Sequence, residues 1–253
     1  MFSRALVKTP CQNMISGITN ANLGQPDHAL ALAQHCAYIK ALEACDLEVT
    51  VLPADEAYPD SVFIEDTCLV TRACAIITHP GADTRKGEVC AVRSAMEKFG
   101  LPIEIITAPG TLDAGDVMMV GDHFYVGLSG RTNKEGFRQL KEILDRHGMT
   151  SSPIPLSSVL HLKTGISYLE NNMLLVWGEF EEKAEFQDFQ RIRVPAEEGY
   201  AANSLWINGR VLVPSGHEKT RDLIAALGYT IIELDVSEYR KLDGGLSCLS
   251  LRF

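Results

Sequence analysis

Three short segments of this 253-residue chain share the pattern x-Leu-x-x-Gly and bring three different reactive side chains with them. They are Thr111-Leu112-Asp113-Ala114-Gly115, His161-Leu162-Lys163-Thr164-Gly165 and Lys241-Leu242-Asp243-Gly244-Gly245, each followed by a short apolar run. The third run opens Leu246-Ser247-Cys248. Repeated segments occupy corresponding places in a fold. Repeats set round a common axis would therefore turn Asp113, His161 and Cys248 toward one another. A carboxylate, an imidazole and a thiol that converge form a nucleophilic active site.

A second set of residues calls for charge partners. Asp60, Glu65 and Asp66 flank the apolar stretch Val62-Phe63-Ile64, and carboxylates buried beside it demand a cation. Arg85 and Arg131 each follow a hairpin and open a helix, where a cation is disfavoured and an anion is needed. Singly, these residues have plainer readings. A cysteine near a C-terminus is usually a small buried apolar group, and Asp beside Ala-Gly commonly caps a turn. His161 between two leucines reads as a hydrogen-bonded core or loop residue. Gly244 and Gly245, however, would let backbone approach a ligand closely ahead of Cys248. It is the joint placement that carries the reading.

The elements that must position these groups repeat five times along the chain. Each unit has a strand or hairpin, an amphipathic helix, a further strand and a loop. Helices are expected near residues 26–44, 86–99, 133–147, 182–190 and 218–227. Hairpins turning at Gly121-Asp122 and Asn208-Gly209 carry strong turn signals. Phe137, Leu140, Ile143 and Leu144 fall on one helical face. Strand, helix, strand implies a parallel pair joined by a crossover. With no Pro/Gly/Ser-rich linker or charge block, one α/β domain over residues 1–253 is expected. The hairpins and the loop repeat favour a closed five-bladed α/β propeller over an open doubly wound sheet. Closure gathers five loops at the axis, carrying Asp60, Glu65 and Asp66; Asp113 and Asp116; His161; Asn203; and Asp243 with Cys248.

Composition bounds the function. The chain is 46% apolar and 22% charged, with mean hydropathy +0.02, ample for a core. No apolar run approaches a membrane span, and residues 1–8 read as a strand and not as a signal peptide. A cytoplasmic protein is expected. Its seven cysteines form no C-x-x-C pair and suggest neither a disulfide framework nor a zinc site. A net charge of −10 argues against a nucleic-acid partner and suits a small cationic substrate.

The ordered segments Pro59-Asp60-Ser61-Val62-Phe63-Ile64-Glu65-Asp66, Leu112 to Val117, Ser129 to Asn133, Leu160 to Thr164, Ala201-Ala202-Asn203 and Lys241 to Cys248 resemble the dimethylarginine dimethylaminohydrolases. These are guanidino-group-modifying enzymes with a five-bladed α/β propeller fold, and the resemblance runs along essentially the whole chain. It implies that Cys248 is the nucleophile, His161 the general acid and base, and Asp113 the acidic member. It further implies that Asp60, Glu65, Asp66 and Asp243 line the substrate site, with Asp66 and Asp113 accepting guanidinium N–H groups. Arg85 and Arg131 would hold the amino-acid end. Ile18, where a leucine is common, and Leu242 would contribute backbone carbonyls, and residues 17–25 would form a lid. No metal or organic cofactor is implied.

One departure separates relatives. Arginine and agmatine deiminases of the superfamily have an aspartate two residues after the histidine, and here that residue is Lys163. Fewer acceptors at that end suit N-methylated guanidino groups, so citrulline and an alkylamine are the expected products. A deiminase releasing ammonia, an amidinotransferase and a non-catalytic ribosome-binding factor of the same fold are the alternatives. The last would lack the Cys/His/carboxylate set and be more basic. A homodimer is left open, because the sequence does not set the oligomeric state.

Overall fold

A computed structural model describes residues 1–253. Its strands are β1 (Arg4–Lys8), β2 (Glu48–Leu52), β3 (Cys68–Val70), β4 (Ala75–Ile77), β5 (Ile103–Ile105), β6 (Val117–Val120), β7 (His123–Leu128), β8 (Thr150–Pro155), β9 (Ile166–Tyr168), β10 (Met173–Val176), β11 (Gln190–Arg193), β12 (Leu205–Ile207), β13 (Arg210–Pro214), β14 (Thr230–Leu234) and β15 (Leu251–Arg252). They form five three-stranded sheets, each with its middle strand antiparallel to one neighbour and parallel to the other. This is the expected five-bladed arrangement.

The helices are α1 (His28–Ala44), α2 (Val89–Lys98), α3 (Lys134–Arg146), α4 (Leu162–Gly165), α5 (Glu218–Ala226) and α6 (Ser237–Arg240). Local chemistry sets their starts. The Asp27 side chain accepts the Leu30 N–H at 3.0 Å, and the Asn133 side chain accepts the Gly136 N–H at 2.7 Å. On α3 the inward face is Leu140, Ile143 and Leu144, packed on β7 and β8 as the spacing predicts. Apolar clusters fill the space between blades, the largest joining α1 to the sheets on either side of it. No helix is long and apolar enough to cross a membrane.

Three features depart from the sequence reading. The helix expected near residues 182–190 is absent, replaced by 3-10 turns at Gly178–Phe180 and Ala184–Phe186. Phe180 and Phe186 are both fully buried, yet a spacing of six sets them about 120° apart round a helix. Two short turns bring both into one cluster. The first unit supplies two strands of its sheet, and the third is β15 from the far end of the chain. Finally, the three x-Leu-x-x-Gly segments are not in structural register. Leu112 and Leu162 lie close before β6 and β9, whereas Leu242 is separated from β15 by the 3-10 turn Leu246–Leu249. The true repeat is a short helical turn placed ahead of each blade's first strand, at Ile64–Thr67, Ala114–Asp116, Leu162–Gly165, Ala196–Ala202 and Leu246–Leu249.

Candidate active site

Those turns place the functional groups. Asp113 stands immediately before the turn preceding β6, and His161 immediately before α4; Cys248 lies within the turn that leads into β15. The fully buried Asp113 does not cap its turn. Its Oδ1 accepts the Gly81 N–H at 2.9 Å, and its Oδ2 lies 3.0 Å from His161 Nε2. Asp116, also fully buried, accepts the Ser129 and Thr132 hydroxyls at 2.6 Å and the Leu162 N–H at 2.9 Å. It thereby anchors the start of α4 and the residue beside His161. His161 and Cys248 together line two adjoining cavities.

The lid-side cavity, about 40 Å³, is bounded by Ile18, Asp60, Phe63, Asp66, Arg85, Arg131, Leu160, Leu242, Asp243 and Gly244 as well. Asp66 Oδ1 accepts the Gly115 N–H at 3.0 Å and Oδ2 accepts Arg85 Nη1 at 2.6 Å. A side chain at Gly115 would come within 2.7 Å of Asp66 and 3.2 Å of His161, so only glycine lets the three meet. Arg85 is buried and largely committed. It donates to both Glu88 oxygens and to the Asp60 and Phe63 carbonyls, leaving one Nη1 N–H unassigned. Arg131 makes no hydrogen bond through its guanidinium and is only 4.0 Å from Asp113. Of the two expected anion-holding arginines, Arg131 is thus the available one.

The segment expected to form a lid is fastened by carboxylates. Asp60 accepts the Ile18 N–H at 3.0 and 3.2 Å. Asp243, in the left-handed region at φ 59°, accepts the Asn20 N–H at 2.7 Å and the Thr19 hydroxyl at 3.1 Å. The Ile18 and Leu242 carbonyls accept no hydrogen bond. Gly244 and Gly245 permit a close approach of the Phe63 ring and the Asn203 side chain, and each lines one of the two cavities.

The other cavity, about 180 Å³, is lined by Gly115, Thr164, Trp177, Gly199, Tyr200 and Asn203 among others. Its floor is an ion cluster. Glu65 Oε1 meets Lys163 Nζ at 2.6 Å and Arg252 Nη2 at 3.3 Å, and Oε2 accepts the Ser247 hydroxyl at 2.8 Å. Beyond that floor a further cavity of about 140 Å³ shares Glu65, Lys163, Asn203 and Ser247 but touches neither His161 nor Cys248. Asp113 borders none of the three, and its Oδ2 faces His161.

Electrostatics follow from these contacts. Burial, with Glu65 and Asp66 nearby, pushes the Cys248 thiol up to about 12, partly offset by the Gly245 N–H and Lys163. Burial alone would lower His161. Asp66, the hydrogen bond to Asp113 and the Asp116 charge outweigh it and raise the imidazole to about 9. The resting pair is therefore a neutral thiol beside an imidazolium. Donor atoms of Asp66, Asp113 and His161 fall within 4.8 Å of one another. Each oxygen of the two carboxylates already faces one protein partner: Gly115 and Arg85 for Asp66, Gly81 and His161 for Asp113.

Sequence reasoning missed Trp177, Gly199 and Tyr200, whose turn carries no motif. It also missed the tyrosines that pin the cysteine loop: Tyr38 donates to the Leu246 carbonyl and Tyr200 to the Gly244 carbonyl, both at 2.8 Å. No local pattern marks those two as distinct from core tyrosines.

A family model described as N,N dimethylarginine dimethylhydrolase, eukaryotic, matches residues 9–181. A curated N(G),N(G)-dimethylarginine dimethylaminohydrolase from Pseudomonas aeruginosa is 55% identical over the full length of both chains. A crystal structure of that organism's enzyme, a cysteine-to-serine variant complexed with citrulline, superposes with a TM-score of 0.98 over all of both chains. A histidine-to-glycine variant of a dimethylarginine dimethylaminohydrolase, solved as an adduct with S-methyl-L-thiocitrulline, is 55% identical and gives the same score over the same coverage. Matched from end to end in sequence and in backbone, the chain belongs to the dimethylarginine dimethylaminohydrolase family.

Proposed function

We propose that the chain hydrolyses N-methylated arginines to citrulline and an alkylamine, through a covalent thiouronium on Cys248. The observation that carries this reading is the pairing of His161 with Asp113 at 3.0 Å on the wall that Cys248 also lines, beside the carboxylate of Asp66. Each chemical requirement has a resident. The lid-side cavity offers Arg131 for the α-carboxylate, one N–H of Arg85 beside it, and Asp60 with the Ile18 and Leu242 carbonyls for the ammonium. Asp66 keeps lone pairs for the guanidinium N–H groups, since each oxygen accepts one protein donor.

The charges then explain the order of events. The bound guanidinium replaces solvent with a positive charge next to the thiol and so favours the thiolate, the nucleophilic form. The thiol gives its proton to solvent, and sulfur attacks the guanidino carbon. As the C–N bond breaks, the imidazolium of His161 gives its proton to the departing amine, which leaves neutral. His161, now neutral, takes a proton from water as the water attacks the thiouronium and the C–S bond breaks. Asp113 acts through His161, fixing its orientation and favouring its protonated form. All these groups come from residues 1–253 of one chain, acting as one catalytic domain, so the chemistry needs no second subunit. A cytoplasmic setting suits a free amino-acid substrate.

The test is citrulline formation from asymmetric dimethylarginine, with arginine run in parallel. The natural chain should release citrulline and dimethylamine, and Cys248→Ser should release neither while still binding substrate. Turnover of arginine with release of ammonia and no turnover of the methylated compound would replace this reading with a deiminase.

A further inference from the structure

We infer that the cavity of about 180 Å³ beyond Cys248 and His161 receives the N-alkyl group, and that Trp177 sets the largest group it takes. This rests on the reading above. Only His161, Asp243 and Cys248 are common to the two cavities, so a substrate whose amino-acid end lies under the lid must point its distal nitrogen into the other.

Two acceptors lining that cavity, Glu65 and Asn203, are engaged by protein donors. Glu65 accepts from Lys163, Arg252 and Ser247, whereas Asp243, at the boundary of the two cavities, gives one oxygen to Thr19 and Asn20 and keeps the other. Asn203 is spent too: its oxygen takes the Ser247 N–H at 2.9 Å, and its nitrogen donates to the Lys163 carbonyl at 2.8 Å. A terminal N–H group facing Glu65 or Asn203 would find them engaged and lose its hydrogen bonds with water, whereas a methyl group there loses none. The aromatic part of the wall is Trp177 and Tyr200, with Gly199 beside them.

Trp177 is held as a fixed wall. Its backbone N–H donates to the Gly165 carbonyl at 2.9 Å and its indole N–H to the Ala196 carbonyl at 3.3 Å. The indole lies flat against Gly199, where a β-carbon would come within 2.2 Å of Trp177 Cε2.

The experiment compares kcat/KM for N-monomethyl-, N,N-dimethyl- and N-propylarginine in the natural chain, Trp177→Phe and Trp177→Ala. Removing the indole should raise the propyl-to-methyl ratio about tenfold or more in Trp177→Ala, the scale of added carbons in a hydrophobic pocket, and by less in Trp177→Phe. Citrulline, which has no N-alkyl group, should inhibit all three proteins alike. Trp177→Phe keeps an aromatic ring in the packing and carries the test if Trp177→Ala does not fold. A ratio unchanged in every folded variant, or an equal loss for all three substrates, would overturn the assignment. Failure of the natural chain to hydrolyse any methylated arginine would instead remove the function proposed above.

Discussion

A neutral thiol is an unusual resting state for a nucleophile, and here it follows from what surrounds Cys248. Burial and two carboxylates oppose the thiolate, and among the groups that favour it are one backbone N–H and Lys163. The missing positive charge must come with the substrate. A cationic haloacetamidine should therefore alkylate Cys248 at least about tenfold faster than neutral iodoacetamide at pH 7, after each rate is scaled to a free thiol. Each unit by which the thiol's pKa falls multiplies the thiolate tenfold below that pKa. The pH dependence has a definite sign. With the thiol near 12, the rate for the neutral reagent should climb steadily from pH 7 to 9 and show no plateau. Mass-spectrometric mapping of the adduct and a plateau below pH 8 together would show a standing thiolate.

At the level of elements, the reactive groups ride on short turns whose own hydrogen bonds are few, so neighbours must hold them. Asn203 is the clamp between two of them. It joins the Lys163 carbonyl in α4, beside His161, to both the backbone N–H and the hydroxyl of Ser247, beside Cys248. Asn203→Ala should lower kcat by about a hundredfold, the cost of misplacing reacting groups by around an ångström. Steady-state kinetics with citrulline inhibition would check it, because the lid-side cavity does not include Asn203 and citrulline binding should hold. Much of this was legible in the sequence. The hairpin turns and the face of α3 are local signals, and the structure keeps them. The convergence of Asp113, His161 and Cys248 was also foreseen, though from a motif whose third copy is out of register. What failed depended on distant partners. The turns at Phe180 and Phe186 answer to the core around them, and Arg85 proves committed because Glu88 and two carbonyls face it. Side-chain type alone could not separate that arginine from Arg131.

Across the whole molecule, the site depends on closing the ring. Both ends of the chain share one sheet: Arg4 and Phe253 exchange backbone hydrogen bonds of 2.8 and 3.0 Å, and β15 pairs with β1 at Ala5 and Leu6. The closing strand does more than cover an edge. Its Arg252 reaches Glu65 at 3.3 Å, the carboxylate that also holds Ser247 next to Cys248, and donates to the Ser250 carbonyl and hydroxyl at 2.7 Å. Deleting residues 251–253 should therefore remove activity and lower the melting temperature in the same protein, because β1 loses a partner and the cysteine turn loses its outer anchor. Arg252→Ala separates the two effects. It keeps β15 and should cost about 1–3 kcal/mol, since Lys163 still faces Glu65. Chemical denaturation of both variants beside the natural chain would measure this. A truncated chain as stable and as active as the full one would mean that the blades hold the cysteine turn without being joined end to end.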